Sequence, residues 1–151
     1  MTEVVVIGLG NPLFSDEGVG IHLIREFERE AAGYPNVAFL DFGTNGMAAL
    51  HAISGKRKAI IIDCASMAEF PGTIRRFSPA DVVSHKILSG MSLHEGDLLK
   101  VLELGQSIGE YAKEVIVFGI QPAQISPGEE LSLTLKVRLA EYKSLIAADL
   151  K

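Results

Sequence analysis

The sequence predicts an α/β protein of three layers, with helices packed on both faces of a mostly parallel sheet. Three observations carry that expectation. Residues 4–7 (VVVI), 59–62 (AIII) and 115–118 (VIVF) are short, continuous, largely β-branched runs, the pattern of strands buried on both faces. Between them lie segments whose apolar residues recur at helical spacing. Turn residues punctuate the chain at intervals that suit alternating strands and helices, and no internal repeat or low-complexity tract breaks the order.

Taken in order, the first strand runs into the loop GLGNPLFS, and a helix comes next. Ser15 reads as its N-cap, Asp16 and Glu17 fall in its first turn, and Val19, Leu23, Ile24 and Phe27 form its apolar stripe. Gly33 and Pro35 stop it. A second strand over residues 37–42 leads through GTNG to a short helix over 47–53, closed by Gly55. The third strand ends on Asp63. Residues 72–78 (GTIRRFS) carry two arginines and suit an edge strand better than a central one. Ser92, Leu93, His94 and Glu95 match a capping box, which predicts a helix starting at Ser92. Leu98, Leu99, Val101 and Leu102 supply its buried side, and Gly105 its stop. The strand over 115–118 is the last. After a proline-rich loop, Leu135, Leu139, Tyr142 and Ile146 mark a C-terminal amphipathic helix.

With 151 residues, 48% of them hydrophobic, the chain can build a sizeable core without disulfides, and one domain over 1–151 is expected. Lys and Arg total 14 against 19 Asp and Glu, a net charge of −5, with the basic residues dispersed. That balance argues against nucleic acid as a partner, because such affinity depends on cations neutralising phosphates. Cys64 is the only cysteine, so no internal disulfide can form and a reducing compartment fits. The apolar start TEVVVIG lacks a basic flank and runs into a polar loop, so neither a signal peptide nor a membrane span is expected, and the protein is expected in the cytoplasm.

In an open α/β sheet, ligands bind beyond the carboxyl ends of the strands, where chain connections diverge. Glu17 follows the first strand, Asp41 lies near the end of the second, and Asp63 sits at the end of the third. Three acids are therefore expected on one rim. His94 joins them if its helix packs back across that rim. Two carboxylates and one imidazole suit a borderline divalent ion such as nickel or zinc and leave positions open for water or substrate.

Singly, each residue has a plainer explanation. The helix dipole favours Glu17 in a first turn, Asp63 can satisfy backbone donors in the segment after its strand, and His94 can be a capping or surface histidine. Asp41 can bond its own GTN turn. Cys64 beside Asp63 reads better as a small core residue than as a thiol nucleophile. His22, His51 and His85 form no interpretable arrangement. Gly8 and Gly10 begin a dinucleotide fingerprint, but its third glycine would fall at Leu13, which demotes nucleotide binding. Pro12, Gly18 and Gly20 instead suggest a tight loop and a close backbone approach.

GLGNPLFSDEGVG, DFGTNG, IIIDCA, SLHEGDL and FGIQP, spread in register across most of the chain, resemble the hydrogenase maturation endopeptidases. This family trims the C-terminal extension from the large subunit of nickel-iron hydrogenases. The resemblance implies a five-stranded, phosphorylase/hydrolase-like αβα sandwich of order 2-1-3-5-4 with the fourth strand antiparallel, and GTIRRFS fits that strand. It implies Glu17, Asp63 and His94 as metal ligands, and Asp41 as the aspartate associated with substrate recognition or cleavage. Phe42 departs from the glycine common at its position, and much of the linking sequence over 65–90 matches no placeable part of the family pattern.

The resemblance further implies a metal-dependent hydrolase that reads nickel already inserted in its substrate, with zinc or cadmium as other ions able to occupy the site. Its partner is the hydrogenase large-subunit precursor, and the free protein is expected to be a monomer. Water would attack the peptide bond beside the ion, activated by the ion or oriented by Asp41, and both routes need the same trio. Two rivals remain. Peptidyl-tRNA hydrolases also start with a strand and GLGNP, but their histidine-asparagine segment is absent here and the chain is acidic. A non-catalytic metal-sensing chaperone would use the same trio only to bind its partner.

Overall fold

The computed structural model describes residues 2–80, 92–93 and 98–150. Its strands are β1 (Val4–Gly8), β2 (Val37–Asp41), β3 (Lys58–Ser66), β4 (Ile74–Phe77), β5 (Ser92–Leu93) and β6 (Glu114–Ile120). Helices are α1 (Val19–Glu28), α2 (Ala48–Ile53), α3 (Leu98–Ser107), α4 (Leu133–Lys136) and α5 (Leu139–Ala147). The main sheet runs β2-β1-β3-β6-β4, with short β5 paired to β3 outside that path. Counting the five main strands alone, this is the expected order 2-1-3-5-4. β4 pairs antiparallel with β6, and every other pair on the path is parallel. Its exposed Arg75 and Arg76 explain why β4 takes an edge.

Side chains alternate across the sheet, so the central strands feed two cores. Ala59, Ile61 and Ala65 of β3 pack with Ala49 and Ile53 of α2 and Leu98 and Leu102 of α3. Ile60, Ile62 and Cys64 pack on the other face with Leu23, Ile24 and Phe27 of α1 and with Tyr142 and Ile146 of α5. Both faces are apolar because both are covered, which is why these strands read as continuous runs rather than as alternating ones.

Several local expectations are corrected. Ser15 does not cap α1: it opens a 3-10 turn, Ser15–Gly18, at a φ of 49°, and α1 begins at Val19. β3 does not end on Asp63 but runs on to Ser66, because pairing with β6 extends to Cys64 and pairing with β5 takes Ala65 and Ser66. Ser92 starts no helix; it and Leu93 lie in β5, and α3 begins at Leu98. Gly105 does not stop α3 but lies inside it. A Cβ there would come 2.5 Å from Leu50 Cδ2 and 2.6 Å from the Glu110 carbonyl oxygen, so this glycine is required by close packing. The C-terminal segment also divides, with α4 and α5 in place of one helix.

Candidate active site at the carboxyl rim of the sheet

The register of the parallel strands sets the rim. Gly8 at the end of β1 lies opposite Asp41 on one side and Ile62 on the other, and Asp63 lies opposite Gly119 of β6. Asp63 is completely buried. It interrupts an apolar strand, facing the α2/α3 side by its parity with Ile61 and Ala65. Burying an ionised carboxylate is costly unless donors or a cation compensate it, so an acid at this depth marks a polar site inside the rim.

Glu17 is half-buried in the 3-10 turn that follows the β1 loop. The turn is held tightly from below. Gly10 has a φ of 132°, and a Cβ there would overlap the Glu17 carbonyl oxygen. Gly20 brings α1 against β3 so closely that a Cβ would stand 2.5 Å from the Ile62 carbonyl oxygen. This is the close backbone approach that Gly18 and Gly20 suggest in the sequence.

Sequence reasoning missed the acid beside Glu17. Asp16 is fully buried, and its carboxylate gathers the loop after β6. Oδ2 accepts from the amides of Ala123 and Gln124, each at 2.9 Å, and from Ser132 Oγ at 2.8 Å; Oδ1 accepts from the Ser132 amide at 2.8 Å. Ser15 adds to this clamp, its Oγ donating to the Ser126 carbonyl at 2.9 Å and its amide to the Gly128 carbonyl at 2.8 Å. No local signal distinguishes Asp16 from a first-turn acid, since its partners lie 107 to 116 residues away.

Cys64 reports the field in this region. Burial pushes its thiol pKa up, and the negative charges of Asp63, Glu17 and Asp16 push it further in the same direction. The thiol stays protonated and is no nucleophile. The same three charges favour a cation nearby.

Asp41 keeps its place on the rim, but its carboxylate serves its own turn, Oδ1 accepting from the Gly43 amide at 2.9 Å. It is exposed, and its parity with Val37 and Phe39 sets it on the α1 side, whereas Asp63 faces α2 and α3. Two interstrand spacings separate their strands, about 10 Å. His94 and His85 lie outside the described residues. Leu93, which precedes His94, pairs with Ala65 of β3. His22 meets the Glu129 carbonyl at 3.2 Å, and burial lowers its pKa; His51 stands 3.9 Å from Glu110. Among the described residues, no three His, Cys, Asp or Glu side chains are grouped closely enough to hold a metal ion.

A family model described as hydrogenase maturation protease matches residues 21–148. The chain is 30% identical over 138 residues to the hydrogenase expression/formation protein HupD of Thiocapsa roseopersicina, covering 91% of this chain and 62% of that protein. It spans about three fifths of the length of the curated relatives it matches most strongly. In structure it is similar to the hydrogenase maturating endopeptidase HybD from E. coli, with a TM-score of 0.81 and 28% identity over 99% of this chain and 92% of that one. The NiFe hydrogenase maturation protease HybD from Thermococcus kodakarensis gives the same TM-score at 26% identity, with both chains fully covered.

Proposed function

Since the chain belongs to the hydrogenase maturation protease family, we propose that it removes the C-terminal extension of a nickel-iron hydrogenase large-subunit precursor once nickel has been inserted. Glu17, Asp63 and His94 dock around that nickel, which arrives as part of the substrate. What supports this reading most is the pairing of Glu17 and Asp63. Glu17 follows β1, Asp63 lies near the carboxyl end of the neighbouring strand β3, and the charges of both push the Cys64 thiol pKa up. The pairing of Leu93 with Ala65 adds to it, because the chain runs beside β3 immediately before His94.

Docking fixes the precursor so that one peptide bond lies beside the rim. Water adds to its carbonyl carbon, the C–N bond breaks, and the proton released from the water leaves on the new amine. Glu17 and Asp63 hold negative charge against the loaded ion and so distinguish it from an empty precursor. In this reading Asp41, exposed at the end of β2, orients water or the departing segment. The reaction belongs in the cytoplasm, where reducing conditions suit a lone cysteine held as a buried thiol. Among the described residues no helix is long and apolar enough to cross a membrane.

The test is mass spectrometry of purified precursor, nickel-loaded and nickel-free, after incubation with the protein. Shortening of the loaded form alone is expected. Equal trimming of both forms would remove nickel recognition from the proposal, and stable binding without shortening would make the protein a chaperone.

A further inference from the structure

Half of the ten large apolar side chains that the described residues expose lie in four loops at the carboxyl rim. Leu13 and Phe14 follow β1, Met47 follows β2, Phe70 follows β3 and Ile125 follows β6, with exposures from 39% to 86%. Hydrogen bonds join the four loops into one surface. Gly10 donates to the Gly43 carbonyl at 2.8 Å, tying the β1 loop to the β2 loop. Gly128 donates to the Leu13 carbonyl at 2.8 Å, tying the β6 loop to the β1 loop. Gly72 donates to the Gln121 carbonyl at 2.8 Å, tying the β3 loop to the β6 loop.

The four loop segments themselves carry charge of one sign, with the Arg138 guanidinium standing beside Gly72 at their edge. Residues 9–18, 42–47, 67–73 and 121–132 contain no Lys, Arg or His, whereas they carry Asp16, Glu17, Glu69, Glu129 and Glu130, and Asp41 stands at their border. Glu69 and Glu130 pair with Arg75 and Lys136, which belong to neighbouring elements rather than to the loops. Exposed apolar groups in an acidic rim mark an interaction surface, and the Asp16 clamp beneath keeps it preorganised.

We propose that this collar is the docking surface for the precursor polypeptide, and that the segment it takes is apolar and positively charged. The inference rests on the endopeptidase reading and adds to it the chemistry of recognition. A second copy of this chain fits poorly, since an acidic collar facing its own like repels. An apolar segment bearing Lys or Arg buries the exposed side chains and answers the charge at once.

Leu13→Ser and Ile125→Ser, with Leu104→Ser and Leu145→Ser as exposed apolar controls away from the collar, test this on the full chain with nickel-loaded precursor. The collar variants are expected to raise KM about five- to tenfold with kcat within about twofold, while the controls match the parent protein. Added salt and Glu129→Gln are expected to raise KM as well. Collar variants with an unchanged KM, or a KM indifferent to salt, would overturn the proposal. So would sedimentation showing that the parent chain self-associates and the collar variants do not. Should the parent cut no precursor, the endopeptidase reading fails instead, and precursor binding by the same variants, read by fluorescence anisotropy, still decides the collar: unchanged binding rejects it, and about fivefold weaker binding by the collar variants alone upholds it.

Discussion

The two sides of the turn Ser15–Gly18 carry the same chemistry to opposite ends. On its inner side, Asp16 is sealed from water and takes four hydrogen bonds from Ala123, Gln124 and Ser132. On the rim side, Glu17 is half-buried in the field it shares with Asp63. A carboxylate whose lone pairs are filled by backbone amides is an anchor, and it has little capacity left for an ion. A carboxylate that is only half-buried keeps access to solvent and so to a ligand. The comparison teaches that the anchor and the candidate ligand are built as neighbours, so that fixing one positions the other.

Breaking the rim side should cost the most activity and the least stability. Glu17→Gln is expected to lower precursor trimming by at least about a hundredfold, the scale on which a lost charge at a reacting centre is felt. Its urea unfolding midpoint should match the parent's; a variant that trims normally would take Glu17 out of the site. Breaking the inner side should do the reverse. Asp16→Ala leaves the Ala123, Gln124 and Ser132 donors without their acceptor, and about 3–5 kcal/mol of stability should be lost by chemical denaturation. A loss below about 1 kcal/mol would show that the clamp contributes little.

The smallest effect is expected at Cys64, which feels both sides of the turn yet belongs to neither. Its raised pKa means that the thiol stays protonated at pH values where a free cysteine begins to ionise, and thiolate is the reactive form. Native protein at pH 8 should resist iodoacetamide while urea-unfolded protein reacts. Rapid labelling of the native form would place the thiol in a different environment.

The layers of the fold are legible in the sequence because burial on both faces leaves a mark on every residue of a strand. Val4, Ile60 and Ile116 are apolar whichever neighbour is considered, as are Val5, Ile61 and Val117 behind them. Helix ends are less legible. Ser92, Leu93, His94 and Glu95 satisfy a capping pattern, but Ser92 and Leu93 instead meet the edge of β3, because hydrogen bonds to a strand outweigh a local capping preference. Gly105 reads as a stop because glycine weakens helices, yet the approach of Leu50 and Glu110 demands it within α3.

By itself, the sequence determined the α/β class, the buried central strands, the arginine-bearing edge and the group of acids to examine, since these depend on the hydrophobicity and charge that each residue carries wherever it goes. Tertiary structure alone decided which acid is an anchor, on which face of the sheet Asp41 and Asp63 stand, and that four separate loops form one acidic, apolar collar. Those distinctions depend on partners some tens to more than a hundred residues away and on strand register, and neither leaves a trace in the neighbouring residues.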